Sequence, residues 1–132
     1  DENLKWRSSN ATQVISATST PMRFTIASTT ASELVALGKF DKASTITKTA
    51  CNIVGGTSVT YQLVYGGDIS AAGTNVYGAS QVESNTATGT ERFAPHLANV
   101  APSAGNWLWA TTSAVSGTVR YFHCEVFSKI NP

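Results

Sequence analysis

The chain has 132 residues, 42% of them hydrophobic and only 13% charged, with a formal net charge of +1. That length fits one domain with a core large enough to need no staples. Nine basic residues scattered from Lys5 to Lys129 make no basic stripe for nucleic acid. No apolar run approaches a membrane-spanning helix, and no leader-type segment opens the chain. Ser, Thr, Asn and Gly stand where the charges are missing. Thr is β-branched and suits a pleated surface, so the composition points to strands.

Residues 1–21 (DENLKWRSSNATQVISATSTP) read as an N-terminal extended arm, polar and mostly aperiodic. Leu4 and Trp6, then Val14 and Ile15, have too little apolar company to offset the entropy of ordering. The alternatives are a disordered tail and an arm whose Leu4, Trp6, Val14 and Ile15 contact a neighbouring subunit. Asn10-Ala11-Thr12 is a glycosylation sequon, a triplet common by chance. The start at Asp1 reads as processed or truncated.

From residue 22 to 132 the chain reads as one β-sandwich. Met22, Phe24 and Ile26 alternate with Arg23 and Thr25, the period of a half-buried strand. Thr30-Ala31-Ser32-Glu33 matches a helix capping box, but the stretch after it is two turns long and lies between strands. Glu33–Phe40 is therefore predicted as a strand. Thr45–Val54 and Ser58–Tyr65 follow, separated by Gly55-Gly56, which predicts a hairpin. Gly66-Gly67 turns the chain again, and strands are predicted over Thr74–Ser80, Gly89–Ala94, Asn106–Thr112 and Thr118–Ile130. Glu83–Thr88 is a polar loop. About eight short strands at even spacing predict an antiparallel sandwich of jelly-roll type.

The last strand is apolar on both faces. Phe122, Cys124 and Val126 suit a core, yet Val119, Tyr121, His123 and Phe127 on the alternate positions, interrupted by Glu125, are also largely apolar or aromatic. A bulge partway is one explanation. Cover by a second subunit is the one favoured, which makes Tyr121, His123, Glu125 and Phe127 the predicted subunit interface. Cys51 and Cys124 read as buried, reduced thiols, because a chain with its own core needs no bridge.

Catalytic patterns are missing from the sequence. His96 and His123 stand apart without HxxxH, HxH or CxxC spacing, and no GxSxG elbow occurs. Asp41, Asp68, Glu33, Glu83, Glu91 and Glu125 read as solvated surface acids. The glycine pairs lack the Lys or the helix start of a phosphate loop. Trp107 and Trp109 alternate, so they share one face: either core packing or a platform on which a sugar ring stacks.

The segments FTIASTTASELVALGKF, ACNIVGGTSVTYQLVYGGDISAAGTNVYGAS and VAPSAGNWLWATTSAVSGTVRYFHCEVF, within residues 22–128, resemble a β-sandwich domain of tailed-bacteriophage virion proteins. Domains of that kind decorate capsids or tip tail fibres, commonly as trimers. The resemblance implies a non-enzymatic structural protein on the capsid surface of a virion, tied to the shell by the N-terminal arm, whose Leu4, Trp6, Val14 and Ile15 would contact the capsid. Its implied partners are two further copies of itself and the major capsid protein, without cofactor, metal, nucleic acid or membrane insertion. A receptor- or carbohydrate-binding domain of a tail fibre or adhesin, facing a host-surface glycan, is the alternative. The family lends no catalytic residues.

Overall fold

A computed structural model describes residues 21–132. Leu4, Trp6, Val14 and Ile15 lie outside the described residues. Nine strands follow in order among those described: β1 (Met22–Ala27), β2 (Leu34–Lys39), β3 (Ser44–Val54), β4 (Ser58–Gly66), β5 (Thr74–Asn75), β6 (Gln81–Ser84), β7 (Thr90–Arg92), β8 (Trp107–Ser116) and β9 (Tyr121–Ile130). One sheet has the order β1-β9-β3-β7; the other runs β2-β8-β4-β5, with β6 also paired to β4. Every recorded pairing is antiparallel.

The pairings nest. β1 lies on β9, β2 on β8, β3 on β7, and β4 on β5 and β6. The chain is thus one long hairpin rolled on itself, closed into two sheets by the contacts of β3 with β9 and of β4 with β8. That is the jelly roll, and it accords with the predicted all-β sandwich.

Period-2 alternation decides what is buried. Phe24, Ile46, Ile53, Val59, Tyr61, Leu63, Leu108, Ala110, Phe122 and Val126 fill the space between the sheets. Phe122 sits at its centre, edge-on to Phe24 at 5.3 Å and to Tyr61 at 5.0 Å between ring centroids. Edge-to-face packing suits the ring quadrupoles, beyond the area that each ring hides.

β2 is a strand, as predicted, and the capping-box residues close the turn before it. The Thr30 amide and hydroxyl both donate to Glu33 Oε2, at 3.2 and 3.0 Å. Val35 and Leu37 then pack on the core while β8 supplies the ladder. Packing and pairing outweigh a local helix signal here.

Four expectations need correction. Gly55-Gly56 makes no hairpin: β3 and β4 belong to different sheets, and this link crosses between them. Both glycines have positive φ, and a Cβ on Gly56 would stand 2.5 Å from Val119 Cγ2. Val119 itself lies inside, 2% exposed, because Thr118–Arg120 precede β9 and cross the end of the sandwich. The strand predicted over Thr74–Ser80 is two residues long, and β6 (Gln81–Ser84) runs into the predicted polar loop Glu83–Thr88. Finally, Cys51 and Cys124 are buried as predicted but joined in a disulfide. They are directly opposed in the β3–β9 register, so the sheet itself brings the sulfurs together.

Candidate functional site

The alternate positions of β9 build the outer face of the four-stranded sheet. Tyr121 is flanked by Ala27 and Val54, His123 by Thr25 and Asn52, and Glu125 by Arg23 and Ala50, with Glu91 beyond; Phe127 stands opposite Lys48. Strict alternation along Tyr121–Phe127 turns these four side chains outward while Phe122, Cys124 and Val126 point inward. The register shift near this strand falls in β3, between Ile46 and Lys48. The four predicted interface residues are thereby gathered on one surface.

Polar contacts order that surface. His123 Nδ1 lies 2.7 Å from the Thr25 hydroxyl and Nε2 lies 3.1 Å from Glu125 Oε2. With the ring proton on Nε2, the imidazole donates to the carboxylate and accepts from Thr25. Arg23 Nε is 3.8 Å from the same Glu125 oxygen. Lys48 sits over the Phe127 ring at 4.5 Å and donates to Glu91 at 3.3 Å. Tyr121 and Val54 are 48% and 40% exposed, an apolar pair at one end of a charged face. Beside them a shallow hollow of about 130 Å³ is lined by Asn52, Thr90, Glu91, His123 and Glu125 among others.

A second cluster lies inside, where β6 of one sheet meets β7 of the other. Glu83 is fully buried and its Oε1 accepts from Arg92 Nη1 at 3.2 Å. Arg92 also donates to the Tyr61 hydroxyl at 3.1 Å and to the Val82 carbonyl at 3.2 Å. The Tyr61 hydroxyl lies 3.0 Å from that of Tyr77, which lies 2.8 Å from the Thr49 hydroxyl. Glu83 Oε2 is buried without a hydrogen-bond partner. Burial pushes the Glu83 carboxyl above the usual range, and Arg92, with the neighbouring Thr90 hydroxyl, pulls back only part of that rise. Burial raises both tyrosines as well, so both stay neutral hydroxyls.

This cluster is not legible in the sequence. Glu83 reads as a solvated acid because it stands among Ser, Asn and Thr; its burial comes from pairing opposite Val59. A carboxylate two residues past an alternating Gln81-Val82 start is the only local signal.

Trp107 and Trp109 share a face, as their spacing requires, but differ in cover. Trp107 is 36% exposed, with Lys39 Nζ 5.6 Å from its ring centre. Trp109 is 3% exposed and lies under the β4–β5 loop. A Cβ on Gly73 would stand 2.8 Å from its ring and 2.5 Å from Val64, so only glycine permits this approach. Trp109 offers no free face to a sugar; of the two predicted stacking residues, only Trp107 does.

Among the described residues, no group of three or more His, Cys, Asp or Glu side chains could hold a metal ion. No described helix could cross a membrane. Comparisons with protein-family models, with curated proteins and with solved structures found no match.

Proposed function

We propose that this chain is a structural assembly protein, a homotrimeric decoration or cementing spike on a bacteriophage capsid. The carrying observation is the outer face of β9, where Tyr121, His123, Glu125 and Phe127 form one ordered surface with an exposed Tyr121–Val54 pair. The face sets the aromatic rings of Tyr121 and Phe127 at either end of the His123–Glu125–Arg23 group, and aromatic residues and Arg are enriched in protein contacts. The virion setting rests on the resemblance of residues 22–128, and the jelly-roll order, shared by many viral shells and lectins, agrees with it. In this reading each spike adds contacts between neighbouring capsid subunits and so resists internal pressure.

Light scattering during size exclusion tests the assembly. A trimer is expected at micromolar concentration, and Tyr121→Ser is expected to shift it toward monomer. A clean monomer of the unaltered chain at high micromolar concentration would sink the proposal. Copy number in purified particles then separates a shell role, with many copies, from a fibre tip, with few.

Trp107 supports a second reading, a glycan- or receptor-binding domain, because its ring is partly open beside the Lys39 cation. Glycan-array binding that Trp107→Ala abolishes would favour this reading over the first.

A further inference from the structure

The buried cluster joins the two sheets at their thinnest margin. β6 has four residues and β7 three, and each is a short strand beside a much longer one. Glu83 reaches from β6 and Arg92 from β7, and the 3.2 Å hydrogen bond from Arg92 Nη1 to Glu83 Oε1, which the acid accepts with or without its proton, ties the margins of both sheets. One carboxylate oxygen is left without a partner in a site closed to water. An ionised carboxylate with an unsatisfied oxygen is costly to bury, whereas the protonated acid is far less so.

The geometry points to a proton-controlled latch: the β6–β7 margin is closed tightly when Glu83 carries a proton and opens more readily when Glu83 is ionised. The groups facing Glu83 from the elements around it are consistent with this. β7 contributes the Arg92 cation and the Thr90 hydroxyl, both of which favour the ionised acid but offset only part of the effect of burial; β4 contributes the Tyr61 hydroxyl, and the segment after β5 the Tyr77 hydroxyl. β3 contributes only the Thr49 hydroxyl and the disulfide sulfur of Cys51, which takes the Tyr61 hydroxyl at 3.3 Å. Arg92 is thus the one positive charge at the carboxylate among the described residues, and it engages a single oxygen.

Local opening returns Glu83 to water and to an ordinary carboxyl pKa near 4.3. The raised folded value, caused first by burial, means that the closed margin binds the proton more tightly than the open one. Raising the pH through that interval therefore favours opening, by up to roughly tenfold in the opening equilibrium per pH unit. The latch does not depend on the assembly reading, since it concerns the interior of one chain.

Amide hydrogen exchange on the intact protein is the test, with each rate corrected for its intrinsic pH dependence. Protection over Gln81–Ser84 and Thr90–Arg92 is expected to fall with rising pH relative to the amides of β3 and β9. In Glu83→Gln, which keeps the shape but cannot ionise, that slope is expected to vanish. An equal slope in both proteins would overturn the latch. Should the variant not fold, the 13C-carboxyl resonance of Glu83 in the unaltered protein decides alone. Titration well above the usual glutamate range supports the latch, and titration near 4.3 refutes it.

Discussion

Two carboxylates on opposite sides of one sheet meet cations in different surroundings. Glu125, on the outer face, faces His123 and an Arg23 whose side chain is 57% exposed. Glu83, inside, faces an Arg92 that is 12% exposed. The residue types are alike, the inner contact is closer at 3.2 Å against 3.8 Å, and solvent is the larger difference. Outside, water and salt screen the pair, so its value to stability is small and its side chains are free to serve a contact. Inside, attraction between the charges competes with the cost of removing them from water, and breaking the pair leaves a bare charge. The same chemistry therefore orders a surface in one place and holds two sheets together in the other.

The largest effect is expected from breaking the inner pair on its cation. Arg92→Met leaves Glu83 buried without a counter-charge and removes the donor to Tyr61 and Val82. A loss of about 3–5 kcal/mol in denaturant unfolding is expected at a pH where Glu83 would be ionised, the usual cost of removing one partner of a buried pair, and a smaller loss where Glu83 carries its proton. A loss below about 1 kcal/mol would mean that the inner pair behaves like the outer one.

The disulfide lies between the two clusters, on the core side of the strand that carries Glu125. Its ends are 73 residues apart in sequence. Closing so long a loop constrains the unfolded chain by about 4 kcal/mol on the chain-entropy account. The double variant Cys51→Ala, Cys124→Ala is expected to lose nearly that much and still fold. Ten register pairs along β3–β9 hold the sheet without the bond. Failure of the unaltered protein's thiols to alkylate under denaturing, non-reducing conditions checks the bond directly.

A smaller effect sharpens the contrast through pH. Because the folded Glu83 pKa is raised, its contribution to stability is full below the unfolded value near 4.3 and is lost as pH rises through the folded value. The melting temperature of the unaltered protein, measured against Glu83→Gln, is therefore expected to fall from about pH 4 upward. The opposite sign would show that attraction to Arg92 outweighs burial.

The contrast also explains what could be read from the sequence. Met22–Ile26, Ser58–Tyr65 and the inward residues of β9 are legible because period-2 alternation is local and each strand hides one face. The outer cluster follows from that parity: once Phe122, Cys124 and Val126 face in, Tyr121, His123, Glu125 and Phe127 must face out. Glu83, Trp109 and the Gly55-Gly56 crossover were illegible for one shared reason. Each is decided by a partner distant in the chain: Val59 opposite Glu83, the loop holding Gly73, and the β9 and β8 ladders that claim β3 and β4 separately. The disulfide misled differently, since two cysteines in a self-sufficient core read as thiols until the register sets them opposite each other.

The smallest expected effect on stability belongs to the outer face, and it is the one that bears on function. Arg23→Met removes the exposed cation from Glu125, and Glu125→Gln removes the charge while keeping an acceptor for His123. Each is expected to change unfolding free energy by no more than about 1 kcal/mol, because an exposed pair gains little over its hydration. Yet both lie in the centre of the proposed interface, where a desolvated charge without its partner is costly on association. Light scattering should therefore show a weakened trimer at unchanged melting temperature. If the trimer persists in both variants while Tyr121→Ser dissolves it, the contact is centred on the apolar end of the face. If stability falls by several kcal/mol instead, Glu125 holds the fold as Glu83 does, and the difference between the two faces of this sheet is not one of solvent.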